Sequence, residues 1–243
     1  MLKVGLIGCG TIGKILSKAV DENPKIKMET IFDKEMKKAE ELFKQLKEKP
    51  KIAKSFEDFL EYEWELAIEA ASQEAVRDYS EKILEKGDLM VMSVGAFKDE
   101  KFFEKVYSKA EKYNRKVYIP SGAIAGIDGI KASSSGKIYE VSLKTTKNPI
   151  SLGRTDKKAK LIYDGYAEEA AQLFPKNVNV CVTLSLASLG PKKTKVKIIS
   201  DPKVKKNIHE VYVRGEFGNI YVKTENLPSP SNPKTSYLAP FQL

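Results

Sequence analysis

Residues Val4-Gly5-Leu6-Ile7-Gly8-Cys9-Gly10-Thr11-Ile12-Gly13 place a G-x-G-x-x-G loop directly after a short apolar run, Leu2 to Ile7. Ile12, Ile15, Leu16, Ala19 and Val20 then recur at helical spacing. A strand, a glycine loop and a helix in that order constrain the chain to open as a βαβ unit. The glycines allow a tight turn, close approach of backbone to a pyrophosphate and close helix–strand packing, and the helix N-terminus offers N–H groups to phosphate. A second apolar run, Met28 to Phe32, ends in Asp33, twenty residues past Gly13, where a carboxylate can take ribose hydroxyls. Gly8, Gly10, Thr11, Ile12, Gly13 and Asp33 are therefore expected to hold a dinucleotide. The competing readings are a glycine turn that binds nothing and a methyltransferase-type nucleotide site. The position of the third glycine favours a dinucleotide.

The alternation continues. A charged helix runs from Lys34 to Lys47, and Ser55 caps a short helix ending near Tyr62. Leu66 to Ala70 reads as a strand, with Ser72 capping a helix that Gly87 closes. Leu89 to Val94 is a strand, Phe102 to Tyr113 a helix and Val117 to Pro120 a strand. This rhythm predicts α/β architecture, a Rossmann-type doubly wound parallel sheet, whose ligands sit at the carboxyl ends of the strands. Ala71-Ser72, Gly95 and Ser121-Gly122-Ala123 stand at such ends, which makes Ala71, Ser72, Gly95 and Ala123 candidate cofactor contacts. Ser121 lies where a nicotinamide and its substrate would meet.

The pattern changes near residue 124. A glycine-rich helical stretch, Ile124 to Lys131, leads into strands Ile138–Thr145, Lys160–Tyr163, Lys195–Ser200, Ile208–Val213 and Ile220–Lys223, with helices Ala167–Leu173 and Val178–Leu189 and a hairpin turn at Glu216–Asn219. The expected division is a nucleotide domain over 1–123 and a second α+β domain over 124–231, built on a mixed or antiparallel sheet.

The chain has 243 residues, 42% apolar and 31% charged, which suits a soluble globular protein of one or two domains. No apolar run approaches the roughly 20 residues of a membrane helix, and the first residues are already strand and loop, so no membrane partner and a cytoplasmic setting are expected. The two cysteines, Cys9 and Cys181, do not suggest a disulfide or a metal site. The net charge of +9 comes from lysines spread among glutamates; it reads as solvated helix faces that attract anionic ligands, and no nucleic acid is expected. His209 is the sole histidine, on the same strand face as Val211 and Val213. It either packs at a sheet edge or serves as the one group whose ordinary pKa lies near neutrality, and if the dinucleotide is a nicotinamide cofactor the second is favoured. Lys147 is a surface lysine or a carboxylate anchor. Asn177 and Asn179 can cap a helix that starts near Val178. Lys234-Thr235-Ser236 either cradles a carboxylate or caps a terminal helix.

Ser121-Gly122-Ala123-Ile124-Ala125-Gly126, Leu173-Phe174-Pro175-Lys176-Asn177-Val178-Asn179-Val180, Asn207-Ile208-His209 and residues Asn226 to Ser236 together resemble the L-aspartate dehydrogenase family. The resemblance runs from the glycine loop to Ser236. It implies oxidation of L-aspartate to iminoaspartate with NAD, NADP being possible, the imine hydrolysing to oxaloacetate and ammonia or feeding NAD synthesis. It further implies a catalytic role for His209, cofactor contacts at Ala123 and Asn179, and a homodimer; Ser121, Lys147, Lys234, Thr235 and Ser236 are the candidate substrate contacts by residue type and position. Segment 232–243 would return to the nucleotide domain, with a helix from about Tyr237 that Pro240 would stop early. The rival functions are a reductase of another imino or amino diacid on the same fold and a non-enzymatic NAD(P)-sensing protein.

Overall fold

The computed structural model describes residues 1–174, 179–229 and 232–238, with backbone only over 232–235. It forms two compact units that divide between Pro120 and Ser121. The first runs β1 (Leu2–Ile7), α1 (Thr11–Glu22), β2 (Ile26–Phe32), α2 (Met36–Gln45), β3 (Lys51–Ile52), α3 (Phe56–Glu61), β4 (Leu66–Glu69), α4 (Gln73–Lys86), β5 (Asp88–Val91), α5 (Glu100–Lys112) and β6 (Val117–Tyr118). The strands pair in parallel in the order β3-β2-β1-β4-β5-β6, so β1 lies between the two halves of a doubly wound sheet. On one side of the sheet, Val4, Leu6, Met28 and Ile68 bury against Leu16 and Val20 of α1 and Ala39 and Leu42 of α2. Each such side chain contributes about 1.5–3 kcal/mol on burial. A second cluster stacks Phe56 on Tyr79 with centroids 4.0 Å apart and sets Phe59 against Trp64. Ser55 and Ser72 cap α3 and α4 as expected, accepting from the N–H groups of Asp58 and Ala75.

β5 is shorter than the apolar run suggests. It stops at Val91, and a 3₁₀ turn occupies Val94–Lys98. The side chain of Glu69 captures Ser93 and ends the ladder there. The two-residue β3 carries too little pattern to be read from sequence.

The second unit runs α6 (Ile127–Ser133), β7 (Ile138–Lys147), β8 (Lys160–Tyr166), α7 (Ala167–Leu173), α8 (Asn179–Leu186), β9 (Thr194–Ser200), β10 (Asn207–Gly215), β11 (Gly218–Asn226), β12 (Pro228–Ser229) and β13 (Asn232–Ser236). Its main sheet is mixed, in the order β11-β10-β7-β9-β8, with β7 and β9 parallel and the other pairs antiparallel. α7 and α8 pack against β9. Gly126 has φ +73° and starts α6 three residues later than the composition suggests. The hairpin turn is tighter than expected: Gly215 pairs with Gly218, which leaves Glu216 and Phe217 as the turn. The segment after Ser231 corrects another expectation. Residues 232–236 are a strand antiparallel to β12 and residues 237–238 a turn, so Thr235 and Ser236 do not cap a helix at this point. Residues 239–243, including Pro240, lie outside the described residues.

Candidate active site

In the first unit the glycine loop ends β1 and opens α1. Gly8 has φ +99°, and a Cβ there would sit 2.7 Å from the Ala70 carbonyl and from Ala71 Cα. A Cβ on Gly13 would stand 1.9 Å from the Gly8 oxygen, whereas one on Gly10 would meet nothing within 4 Å. Two glycines thus permit packing, and Gly10 faces the open space where a phosphate would approach. Thr11 and Ile12 form the first turn of α1, and no side chain caps its N-terminus. Asp33 is held from both sides: Oδ2 accepts from Cys9 N at 2.8 Å and Oδ1 from Glu35 N at 2.8 Å. Gly8, Gly10, Asp33, Ala71, Ser72 and Tyr79 line a cavity of about 200 Å³ at the carboxyl edge of the sheet. Lys34 stands on its rim, 3.6 Å from Asp78 and over the Tyr79 ring. These residues suit a dinucleotide: glycine backbone for the pyrophosphate, a fixed carboxylate for the ribose, and an apolar and aromatic wall for the base. A larger hollow of about 450 Å³ lies where the strands start, around Leu2, Glu65 and Asp88. That is the wrong edge for a doubly wound sheet to bind its ligand. Gly95 sits buried in the turn after β5.

In the second unit the buried face of the main sheet changes character along its length. Val141 and Leu143 of β7 give way to Thr145 and Lys147. Val196 and Ile198 of β9 give way to Ser200, and Val213 and Val211 of β10 to His209 and Asn207. On β11, Ile220 and Val222 give way to Thr224 and Asn226. The register places these polar residues at one end of the sheet, His209 opposite Thr145 on one side and Thr224 on the other, and Lys147 opposite Ser200.

The polar end is tightly bonded. His209 Nδ1 lies 3.0 Å from Thr145 Oγ1. Asn207 Nδ2 donates to Ser236 Oγ at 3.3 Å. Thr224 Oγ1 and Asn226 Nδ2 donate to the Ala123 carbonyl at 2.9 Å and 2.7 Å, which anchors the Ser121–Gly126 segment beside this cluster. His209 is 3% exposed and Lys147 is 6% exposed. Burial, with the Lys147 charge adding to it, pushes His209 down to about 3, and burial pushes Lys147 down to about 8. The expectation that His209 titrates near neutrality is therefore corrected: the imidazole is neutral, because an imidazolium there would lose its water and face an ammonium.

The structure thus brings together His209, Lys147, Ser236 and Ala123 in the second unit, and Gly8, Gly10, Asp33, Ala71 and Ser72 in the first. Asn179 opens α8 with an exposed side chain. Ser121 is half-buried. The side chains of Lys234 and Thr235, and Asn177 altogether, lie outside the described residues. Lys147 is buried, so the surface-lysine alternative does not hold. Thr145, Asn207, Thr224 and Asn226 were missed as site residues. Their signal is the switch from apolar to polar on every second residue, which only the strand register turns into a cluster. Cys9 and Cys181 are buried free thiols.

Residues 128–243 match the family model described as aspartate dehydrogenase, C-terminal, and residues 8–120 match the homoserine dehydrogenase NAD binding domain. The L-aspartate dehydrogenase of Methanosarcina barkeri is 44% identical, over 98% of this chain and 93% of its own length. That of Archaeoglobus fulgidus is 46% identical, over 97% and 92%. Among solved structures, aspartate dehydrogenase from Thermotoga maritima superposes with a TM-score of 0.77 at 33% identity, covering 93% of this chain and 89% of that one.

Proposed function

The chain belongs to the L-aspartate dehydrogenase family, and on that premise we propose that it oxidises L-aspartate to iminoaspartate with NAD as acceptor, the imine hydrolysing to oxaloacetate and ammonia. It is an oxidoreductase of CH–NH2 donors with an NAD-binding domain. The observation that carries the substrate reading is the buried polar end holding Lys147 and His209 on one sheet face. A dicarboxylate suits a buried ammonium, because its charge offsets the desolvation that depresses Lys147.

NAD, when bound, would supply the hydride acceptor for Cα of aspartate. Gly8, Gly10 and the first turn of α1 would hold its pyrophosphate, and Asp33 would accept from its adenosine ribose. Lys147 pairs with a substrate carboxylate and fixes the orientation of Cα. His209 Nδ1 lies 3.0 Å from Thr145 Oγ1, and in the tautomer whose Nδ1–H donates to that hydroxyl Nε2 is the base. Nε2 takes a proton from the water that attacks the imine carbon, gives it to the nitrogen of the resulting carbinolamine, and takes the hydroxyl proton as that nitrogen leaves and the ketone forms. The substrate's negative charge raises the proton affinity of His209 from its depressed resting value and so makes this step accessible. Lys234, Thr235, Ser236 and Ser121 are proposed further substrate contacts, and Ala71, Ser72, Gly95, Ala123 and Asn179 further cofactor contacts. NADP as a second acceptor rests on Lys34 at the rim of the ribose cavity. A homodimer, a cytoplasmic setting and a link to NAD synthesis are proposed with it, the first and last on the resemblance alone.

The test is NADH absorbance on mixing the protein with NAD and L-aspartate. His209→Ala is expected to lose about 10²–10⁴-fold in turnover, the usual worth of acid–base help, with NAD affinity little changed. A folded His209→Ala protein that turns over aspartate at the wild-type rate overturns the role.

A further inference from the structure

Glu69 is the last residue of β4 and is 1% exposed, yet nothing in the chemistry above uses it. Its carboxylate accepts four hydrogen bonds. Oε1 takes Ala71 N at 2.8 Å, Ser72 N at 2.9 Å and Ser93 Oγ at 2.9 Å, and Oε2 takes Ser93 N at 3.0 Å. The donors come from two different loops at the carboxyl edge of the sheet, one after β4 and one after β5. Ala71 and Ser72 also line the cavity that contains Asp33. The same stretch limits the glycine loop, since Ala70 and Ala71 are what a Cβ at Gly8 would strike. β1 and β4 are the adjacent strands at which the winding of the sheet reverses, and a dinucleotide lies across the carboxyl ends at that point.

We propose that Glu69 is a positioning residue for the cofactor: its buried carboxylate clasps the β4 and β5 loops together and sets the wall of the dinucleotide site. The proposal rests on the NAD reading of that site. Buried carboxylates survive only when their oxygens are satisfied, and N–H donors are the strong, directional way to satisfy them. Burial raises the Glu69 pKa while the bonds from Ser93, Ala71 and Ser72 oppose that rise. A glutamine keeps the shape but sets an NH2 group against an N–H donor whichever way it is turned, so one loop must let go.

Glu69→Gln and Ser93→Ala test the idea by NAD titration of the full chain, at a temperature where each variant is folded by circular dichroism. Glu69→Gln is expected to weaken NAD binding about tenfold, as loss of a charge-assisted bond implies, and Ser93→Ala by a smaller factor in the same direction. At saturating NAD the turnover of aspartate should return to within a few-fold of wild type, because the clasp acts on the cofactor site and not on the proton steps. A merely structural glutamate would lower the melting temperature and leave the NAD dissociation constant where it was. That result, in a folded Glu69→Gln protein, overturns the proposal. If Glu69→Gln does not fold, an unchanged dissociation constant in Ser93→Ala overturns it instead. Wild-type protein that fails to bind NAD removes the underlying reading as well; tight wild-type binding with indifferent variants removes this inference alone.

Discussion

Lys147 and His209 are two bases held nearly dry at one end of a sheet, and the charge of Lys147 makes His209 harder still to protonate. For Lys147 the consequence is a binding profile. Its ammonium persists below about 8 in the fold and is lost above it. A non-reacting dicarboxylate such as succinate should therefore weaken about tenfold per pH unit above that value. Inhibition constants across pH 7 to 10 check this, and Lys147→Met should abolish the slope. For His209 the consequence is acid lability. The unfolded histidine takes its proton near 6.5, whereas the folded one is held to about 3. The stability tied to neutral His209 is thus present above pH 6.5 and is lost as pH falls toward 3, by at most about 1.4 kcal/mol per unit. Denaturant titrations of wild type and His209→Asn should diverge in slope only within that window. Asp33 makes a third prediction. Asp33→Ser removes an acceptor for the ribose and a negative charge beside a 2′-phosphate. NAD affinity should fall about tenfold to a hundredfold, the worth of a hydrogen bond to a charged group, and NADP affinity less. Equal losses in paired titrations would refute the role.

Elements whose residues repeat a simple period were legible, and those defined by a few side-chain bonds were not. α1 announced itself through Ile12, Leu16 and Val20, and β10 through the alternation of His209, Val211 and Val213. The apolar Met92 and Val94 extend the pattern of β5 past its end at Val91, while the residue that captures Ser93 there, Glu69, is distant in sequence. β12 and β13 were hidden by Pro228 and Pro233, which read as loop; a short pair tolerates prolines that cannot donate. The junction of β1 with α1 offers the sharpest test at this scale. Gly13→Ala would drive a methyl group into the Gly8 carbonyl. The helix must shift off the sheet at a cost of about 1–3 kcal/mol or more, and the phosphate loop must deform with it. A melting temperature and NAD affinity equal to those of wild type would contradict this account of the turn.

At the scale of the whole molecule, two units with separate cores predict separable ligand footprints. In hydrogen exchange, NAD should slow the amides of residues 8–13, 33–35 and 69–72 in the first unit. A dicarboxylate should slow those near residues 145–147 and 207–209 in the second. Footprints exchanged between the two ligands would reverse the assignment. The glycine loop with Asp33 was readable because its parts lie within one βαβ stretch. The polar end was not, because Thr145, Ser200, His209 and Thr224 become neighbours only when four strands adopt one register. His209 and Lys147 were singled out one at a time, from residue type and resemblance.

The strand order of the first sheet also sets a timetable for a ribosome making this chain. β1 is flanked by β2 and β4, and β4 begins some sixty residues after β1 ends. At about 5–20 residues per second, one side of β1 waits roughly 3–12 seconds for its partner to be synthesised. Throughout that interval the segment Leu2–Ile7, apolar but for Lys3, presents an open row of backbone donors and acceptors to every other nascent chain nearby.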